Sequence, residues 1–177
     1  MQIFLYDDLM YKDRLEAVIL CKVLSVKPAF VTPTILIDAE RYDPSRLTDK
    51  NIVMYPVMID KSTNNIVTMP CTVFGTLVDV DGGMEVLRRL DAFYTCSMAP
   101  LGENKPTDLF HRKEFNVKVI QFVNIQNFMN YDFEIEEEVM AYAYIGNNSH
   151  LMLKKKVADL KHSRIGSVWR AFFSVFL

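Results

Sequence analysis

The stretch Val73-Phe-Gly-Thr-Leu-Val-Asp-Val-Asp-Gly-Gly-Met-Glu-Val-Leu-Arg-Arg-Leu-Asp-Ala-Phe-Tyr94 joins a strand pattern directly to a helix pattern. Its first part is rich in β-branched and aromatic residues, which is typical of a buried strand, and Gly75 inside it predicts a bulge. The second part predicts a helix that Asp81 caps. The apolar residues of that helix recur on one face, namely Val86, Leu87, Leu90 and Phe93. A helix packed on a sheet is therefore expected here.

The N-terminal segment Met1-Gln-Ile-Phe-Leu-Tyr-Asp-Asp-Leu-Met10 contains a second strand pattern. The apolar run from Gln2 to Tyr6 stops at Asp7 and Asp8, whose carboxylates can accept hydrogen bonds from local backbone amides in a turn. Beyond the turn, apolar residues recur at helical spacing among charged ones, at Leu15, Val18 and Ile19. We expect a buried strand, a turn and an amphipathic helix of about two to three turns.

The middle of the chain predicts short strands with irregular links. The β-branched runs at 23–26, 34–37 and 52–59 are interrupted or flanked by proline, which is rare inside central strands. Residues 61–65 have the composition of a turn, so we expect a hairpin between the strand at 52–59 and a long strand from Ile66 to Val80.

The second half of the chain predicts a loop, two strands and a helical end. Residues 95–109 contain two prolines and a glycine and are long enough for a lid. Strands are expected at 115–123 and 139–145, as antiparallel partners. One or two helices should follow. Their last turns carry an aromatic group that could form a homodimer contact, namely Trp169, Phe172, Phe173 and Phe176.

Composition narrows the class of protein. The chain has 177 residues, half of them hydrophobic, so a single domain can bury a sizeable core. The formal charge is −2 without a basic stripe, and we therefore expect no nucleic-acid partner. The three cysteines lie far apart without a metal-ligand pattern, which favours a reducing cytoplasm and no zinc site. No apolar run is long enough for a membrane span, and the N-terminus lacks the pattern of a secretory signal.

Four segments occur in the order found in the γ-glutamylcyclotransferase-like superfamily, including its AIG2-like and YtfP-like branches. Tyr6-Asp-Asp-Leu-Met10 resembles the family's first loop, Tyr-Gly-(Ser/Thr)-(Asn/Leu)-(Leu/Met). Val73-Phe-Gly-Thr-Leu-Val-Asp-Val80 resembles the strand Val-x-Gly-x-(Leu/Val)-Tyr-x-Val. Leu90-Asp-Ala-Phe-Tyr94 resembles the helix end Leu-Asp-x-x-Glu, and Phe110-His-Arg112 resembles Tyr-x-Arg. Tyr55-Pro-Val57 adds a weaker match.

The resemblance implies an α+β fold, with a small mixed β-barrel or sheet against which helices pack. It covers roughly residues 1 to 146, which we therefore assign to the γ-glutamylcyclotransferase-like domain. Residues 147–177 are expected to form a C-terminal helical extension of the same domain.

The resemblance also implies a reaction. In the family, backbone amides of the first loop hold the α-carboxylate of a γ-glutamyl group, and the Glu at the helix end moves the proton. The substrate's α-amine attacks its own γ-amide and releases 5-oxoproline and an amine. Here Tyr94 occupies the Glu position, and Asp7 and Asp8 occupy the Gly and Ser/Thr positions. A phenol is a poor base at neutral pH, and two carboxylates repel a substrate carboxylate.

Each candidate site residue has a second interpretation. Tyr94 can act in catalysis or only pack at the end of its helix, and Asp91, one turn earlier, can replace the lost Glu or serve structure. Asp7 and Asp8 can bind an amine, a metal or a hydroxyl, or cap the turn. Arg112 can receive a carboxylate or pair with Asp91, and we favour the internal pair.

Two further patterns in the sequence resemble functional sites. The acidic run at 134–138 resembles a cation site but is more typical of a solvated strand edge, and the three histidines have no nucleophile at suggestive spacing. We therefore predict no metal and no cofactor.

The sequence predicts a γ-glutamylcyclotransferase-like protein with a degenerate catalytic site, acting as a ligand- or protein-binding module such as an adapter or inhibitor. The alternative is an active cyclotransferase or amine-releasing enzyme with a base that the family does not use. In both hypotheses Tyr94 and Asp91 are the catalytic candidates. The substrate-binding candidates are Tyr6, Asp7, Asp8, Leu9 and Arg112.

Overall fold

In the computed structural model, the described residues are 1–32, 34–42, 52–60, 72–94, 110–127 and 130–146. Side chains are described for most of these residues, with exceptions chiefly in the strands at 34–42 and 52–60. The secondary-structure elements follow one another as β1 (Gln2–Leu5), a short 3-10 helix (Asp8–Met10), α1 (Lys12–Ile19), β2 (Val23–Val31), β3 (Thr34–Tyr42), β4 (Ile52–Asp60), β5 (Val73–Val80), α2 (Met84–Phe93), β6 (Phe110–Asn127) and β7 (Asn130–Gly146).

Five strands close into a barrel in the order β1-β5-β2-β6-β7, and β3 and β4 pair as a separate antiparallel hairpin. Neighbouring barrel strands are antiparallel except at the closing contact, where β1 meets β7 in parallel at Ile3 and Tyr142. A hydrogen bond from the Tyr6 hydroxyl to the Tyr144 carbonyl, 2.7 Å long, reinforces this contact. The predicted α+β barrel with packed helices is confirmed.

Alternation along the strands divides the core into two layers. Side chains from all five barrel strands fill the barrel interior, including Phe4, Leu77, Val117 and Ala143. The opposite face of β1 and β5 packs against both helices in a second layer, the helix-side core. The helices contribute apolar residues at one-face spacing to that layer, namely Leu15, Ile19, Val86 and Leu90. The site described below lies at the edge of the helix-side core.

Several local expectations need correction. No register shift occurs at Gly75, and its role is close approach, because a Cβ there would overlap the carbonyl oxygen of Leu5. The irregularity lies in β2, between Val23 and Ser25. β2 also runs through Pro28, which is opposite Thr76 of β5 and lies just outside the ladder with β6, whose partners are Ala29–Val31.

The second helix begins differently from the expectation. Its N-cap is Gly83, which has no side chain to accept a hydrogen bond, and Asp81 does not cap the helix. The strands at 115–123 and 139–145 are antiparallel partners as expected, but β6 and β7 extend well beyond those limits.

Some expectations fall outside the described residues. They concern the turn at 61–65, the strand residues 66–71, the lid at 95–109 and the C-terminal extension with its aromatic group. Within the described ranges β4 pairs with β3. Neither helix in the part of the chain that the structure describes has the length and apolarity needed to cross a membrane.

Candidate functional site

The first loop and the end of α2 meet through one short hydrogen bond. The Tyr94 hydroxyl donates to Asp7 Oδ2 at 2.6 Å, across 87 residues of sequence. Asp7 follows β1 in an extended conformation, and its other oxygen, Oδ1, accepts the backbone N–H of Leu9 at 3.0 Å. The carboxylate of Asp7 is therefore held by one backbone donor and one phenol donor.

Tyr94 is a buried residue at the C-cap of α2, with 4% of its surface exposed. Its ring stacks on the ring of Tyr144 with centroids 4.2 Å apart and planes 16° apart, and Phe93 and Phe110 contact it edge-on. Aromatic pairs in these arrangements add to the free energy of burial. The phenol of Tyr94 is thus fixed on its faces and at its hydroxyl.

A second polar group lies beneath that stack. Arg112 Nη1 contacts both carboxylate oxygens of Asp91, at 2.8 and 2.7 Å, and Tyr144 donates its hydroxyl to Asp91 Oδ1 at 2.7 Å. The side chains of Arg112 and Asp91 are only 12% and 10% exposed. The internal Arg112–Asp91 pair that the sequence favoured is present in the structure, and it anchors Tyr144 under Tyr94.

Burial changes the acid–base properties of the site. Desolvation raises the pKa of Asp7 above its usual value, against the opposing effect of the hydrogen bond from Tyr94. Desolvation also raises the pKa of Tyr94 well above its usual value, and the charge of Asp7 adds to that rise. The pKa of Tyr144 is raised by burial and by its bond to Asp91. Both phenols therefore stay protonated and act as donors at neutral pH.

The other candidate residues lie at different places. Tyr6 is buried in the barrel interior, where it donates to Tyr144, and Leu9 is buried in the helix-side core and presents its backbone N–H to Asp7. Asp8 is exposed and pairs with Arg14 at 2.8 Å. The structure therefore brings Asp7, Leu9 and Tyr94 together and places Asp8 on the surface.

Two residues of the site were not among the candidates. Tyr144 was visible as a tyrosine alternating with alanines in β7, a pattern that places a phenol opposite the barrel interior. Thr76 is fully buried, and its hydroxyl has no hydrogen-bond partner in the described structure. No sequence pattern distinguishes Thr76 from an ordinary strand threonine.

Thr76 lies beside the first loop. In the register of β1 and β5 it is directly opposite Leu5, so its side chain shares the outer face of the barrel with Leu5. Asp7 follows two residues after Leu5, in extended backbone, and is thus diagonal to Thr76.

Comparisons with known proteins give matches by structure only. No protein-family model matches the chain, and no curated protein sequence matches it. Two crystal structures of a yeast γ-glutamyl cyclotransferase specific to glutathione are similar in fold. The selenomethionine form aligns with a TM-score of 0.55 and 10% identity over 88% of this chain and 73% of that chain. The other aligns with a TM-score of 0.52 and 9% identity over 90% of this chain and 76% of that chain.

At this level of identity the likeness concerns the fold. The closed barrel and the two helices packed on its outer face agree with it. This chain therefore has the γ-glutamylcyclotransferase-like fold.

Proposed function

We propose that this chain is a γ-glutamylcyclotransferase-like protein with a degenerate catalytic site, which binds a small-molecule ligand beside its first loop and does not close the 5-oxoproline ring. The observation that supports this most is the 2.6 Å hydrogen bond between the Tyr94 hydroxyl and Asp7. Tyr94 occupies the helix-end position to which the resemblance assigns the catalytic Glu.

Proton transfer by the residue at that position is unfavourable. The family reaction needs a base that takes a proton from the substrate's ammonium group near neutral pH. The pKa of Tyr94 is raised well above its usual value by burial and by Asp7, so the phenol is a donor under those conditions. Tyr94 can hold a ligand or Asp7 in place, but it cannot take up the proton.

Substrate binding in the family manner is also unfavourable. The resemblance implies that backbone amides of the first loop receive the substrate's α-carboxylate. Here the Leu9 N–H already donates to the Asp7 carboxylate, 3.0 Å away. The loop supplies its own anion to this amide, and the negative charge of Asp7 opposes the approach of another.

One observation favours the alternative of an active enzyme. Asp7 is a half-buried carboxylate, and burial raises its pKa toward the range that suits a general base. In that case Asp7 would take the proton from the attacking amine and return it to the leaving amine, while Tyr94 would hold its carboxylate in position. Asp91 is less suited to this role because Arg112 and Tyr144 already engage its oxygens.

The test is an assay of 5-oxoproline release from glutathione and a panel of γ-glutamyl amines. We expect no release by the native protein. Release by the native protein that Asp7→Asn abolishes would overturn the proposal and support the alternative.

Restoring the family residues sharpens the assay. The single variant Tyr94→Glu would place two carboxylates within bonding distance, so the double variant Asp7→Gly with Tyr94→Glu is the better restoration. Asp7→Gly with Tyr94→Gln is its matched control, because it has the same size without the carboxylate. Activity in Asp7→Gly with Tyr94→Glu, but not in Asp7→Gly with Tyr94→Gln, would show that the native protein lacks only the catalytic base and the anion-binding loop of the family.

A protein partner, or a homodimer through the C-terminal aromatic group, stays a prediction. The mass of the purified protein in solution, measured by light scattering over a range of concentrations, tests the homodimer.

A further inference from the structure

Asp7 is a half-buried carboxylate without a basic partner in the described part of the chain. The other carboxylates of this region have one, since Asp8 pairs with Arg14 and Asp91 pairs with Arg112. Among the described residues, the donors from other residues to the Asp7 carboxylate are two neutral groups, the Leu9 N–H and the Tyr94 hydroxyl. Charged groups taken out of water are normally paired, because desolvation is costly. The site around Asp7 is therefore short of one positive charge.

Hydrogen-bonding capacity is also left over. An ionised carboxylate has about four lone-pair sites, and Asp7 uses two of them in the described contacts. Thr76 adds a fully buried hydroxyl whose oxygen has no partner among the described residues. A buried hydroxyl without a partner costs roughly 1–3 kcal/mol, so its presence here needs a reason.

These two acceptors face the same region. Thr76 lies opposite Leu5 on the outer face of the barrel, and Asp7 follows Leu5 by two residues in extended backbone, diagonal to Thr76. Gly75, the neighbour of Thr76, keeps β1 and β5 close, because any Cβ there would overlap the carbonyl oxygen of Leu5. The strand pairing therefore fixes Thr76 against Leu5, two residues before Asp7.

We propose that this site binds a primary-amine cation, with the Asp7 carboxylate as its counter-ion and the Thr76 hydroxyl as a second acceptor for the ammonium group. This identifies the ligand class of the site under Proposed function and rests on it. An ammonium group has three donors and no acceptor, which fits the unused acceptor sites on the Asp7 carboxylate and the Thr76 hydroxyl oxygen.

A divalent metal ion fits less well. No group of three or more acidic, histidine or cysteine side chains that could hold a metal is found within the described ranges. Calcium and magnesium prefer six or more oxygen ligands, whereas an ammonium group needs about three acceptors.

The experiment compares three probes of the same size and different charge, namely n-butylamine, n-butanol and butyrate. Binding is followed at pH 7 by the amide signal of Leu9 in a nitrogen-15 correlation spectrum, because this N–H donates directly to Asp7. We expect n-butylamine to shift that signal saturably, and n-butanol and butyrate to bind at least tenfold more weakly. Absence of a saturable shift with n-butylamine, or equal binding of butyrate, would overturn the proposal.

Two variants test the residues. Asp7→Asn is nearly isosteric and is expected to weaken n-butylamine binding at least tenfold. Thr76→Val is expected to weaken binding severalfold while raising the melting temperature of the free protein, since it removes a buried hydroxyl without a partner. Asp81→Asn, an exposed carboxylate away from the first loop, is the control and should change neither. Equal effects of Asp7→Asn and Asp81→Asn would contradict the assignment to Asp7.

Different results would overturn the amine site and the proposed function. Saturable binding of butyrate in place of n-butylamine would leave a non-catalytic ligand site with the opposite charge preference. Release of 5-oxoproline in the enzyme assay would instead overturn the proposed function, whichever probe binds.

Discussion

The hydroxyl of Tyr94 and the carboxylate of Asp7 form the link between α2 and the first loop, with their oxygens 2.6 Å apart. The ring of Tyr144 stacks on the ring of Tyr94, and the Tyr144 hydroxyl donates a hydrogen bond to Asp91. The site is therefore one connected group of side chains from the first loop, the C-terminal end of α2 and β7, and a change in one of them should affect the others.

Tyr94→Phe should destabilise the protein by about 1–3 kcal/mol, because it leaves one oxygen of the partly buried Asp7 without its donor. The aromatic stack remains, so the loss should come from the hydrogen bond alone. Urea unfolding at pH 7 measures the change. Tyr142→Phe is the control, since its hydroxyl makes no hydrogen bond in the described structure. An equal loss in both variants would contradict the role given to the Tyr94–Asp7 bond.

Asp7→Asn should raise the melting temperature at pH 7 but not at pH 4. Because the folded pKa of Asp7 is raised above 3.8, the stability tied to its protonated form is fully present below that value and is lost as the pH rises through the folded pKa. Asn does not ionise, so the difference in melting temperature between Asp7→Asn and the native protein should grow as the pH rises across the same range. The charged and titratable groups facing Asp7 are Asp8 and Tyr94.

Melting temperatures of native protein, Asp7→Asn and Asp81→Asn at half-unit steps from pH 4 to pH 8 provide the measurement. Asp81→Asn removes an exposed carboxylate away from the first loop and serves as the control. A gain for Asp7→Asn that is independent of pH would show that titration of Asp7 is not its origin.

Arg112→Leu should cost about 3–5 kcal/mol, because it leaves the buried Asp91 carboxylate without its counter-ion. Removing both charges in Asp91→Leu with Arg112→Leu should cost less than the single change. Tyr144 then retains the carbonyl of Leu87, 3.4 Å from its hydroxyl, as an acceptor. Guanidinium unfolding of the two variants decides the order, and a double variant less stable than the single one would refute this account.

Leu20→Gly should stabilise the protein by about 0.5–1 kcal/mol. Leu20 ends α1 in the left-handed conformation, with φ 53° and ψ 34°, and it is 70% exposed. A side chain in that conformation costs roughly 1–2 kcal/mol, part of which the greater freedom of glycine in the unfolded chain cancels. Leu20→Ala keeps the Cβ and serves as the control, which should show no such gain in thermal unfolding.

The sequence predicted most of the fold because the signals were local or followed a family order. Leu15, Val18 and Ile19 marked α1 by spacing, and the alternation in β7 marked a strand. The prediction of Asp81 as the N-cap of α2 was wrong, because the residue before the first helical residue is Gly83. The prediction of a bulge at Gly75 was wrong, because the local sequence does not show that a strand distant in sequence packs closely against this residue.

The site was predictable only in part. The resemblance pointed to Asp7 and Tyr94 separately, but their hydrogen bond joins residues 87 positions apart and depends on the barrel. Tyr144 and Thr76 carry no motif, and their roles come from burial and strand register. The internal pair of Arg112 with Asp91 is the interpretation that the sequence favours, and the structure contains it.

Closure of the barrel between β1 and β7 has a consequence for synthesis on the ribosome. β6 and β7 are neighbours in sequence and can pair soon after they emerge, whereas Tyr6 must wait for Tyr144, 138 residues later. At about 5–20 residues per second, that wait is roughly 7–28 s. Throughout it the apolar residues of β1 lack their final partner strand. The nascent chain therefore carries an incomplete barrel until its last described strand has been made, and the Asp7 site cannot be supported by Tyr144 before that moment.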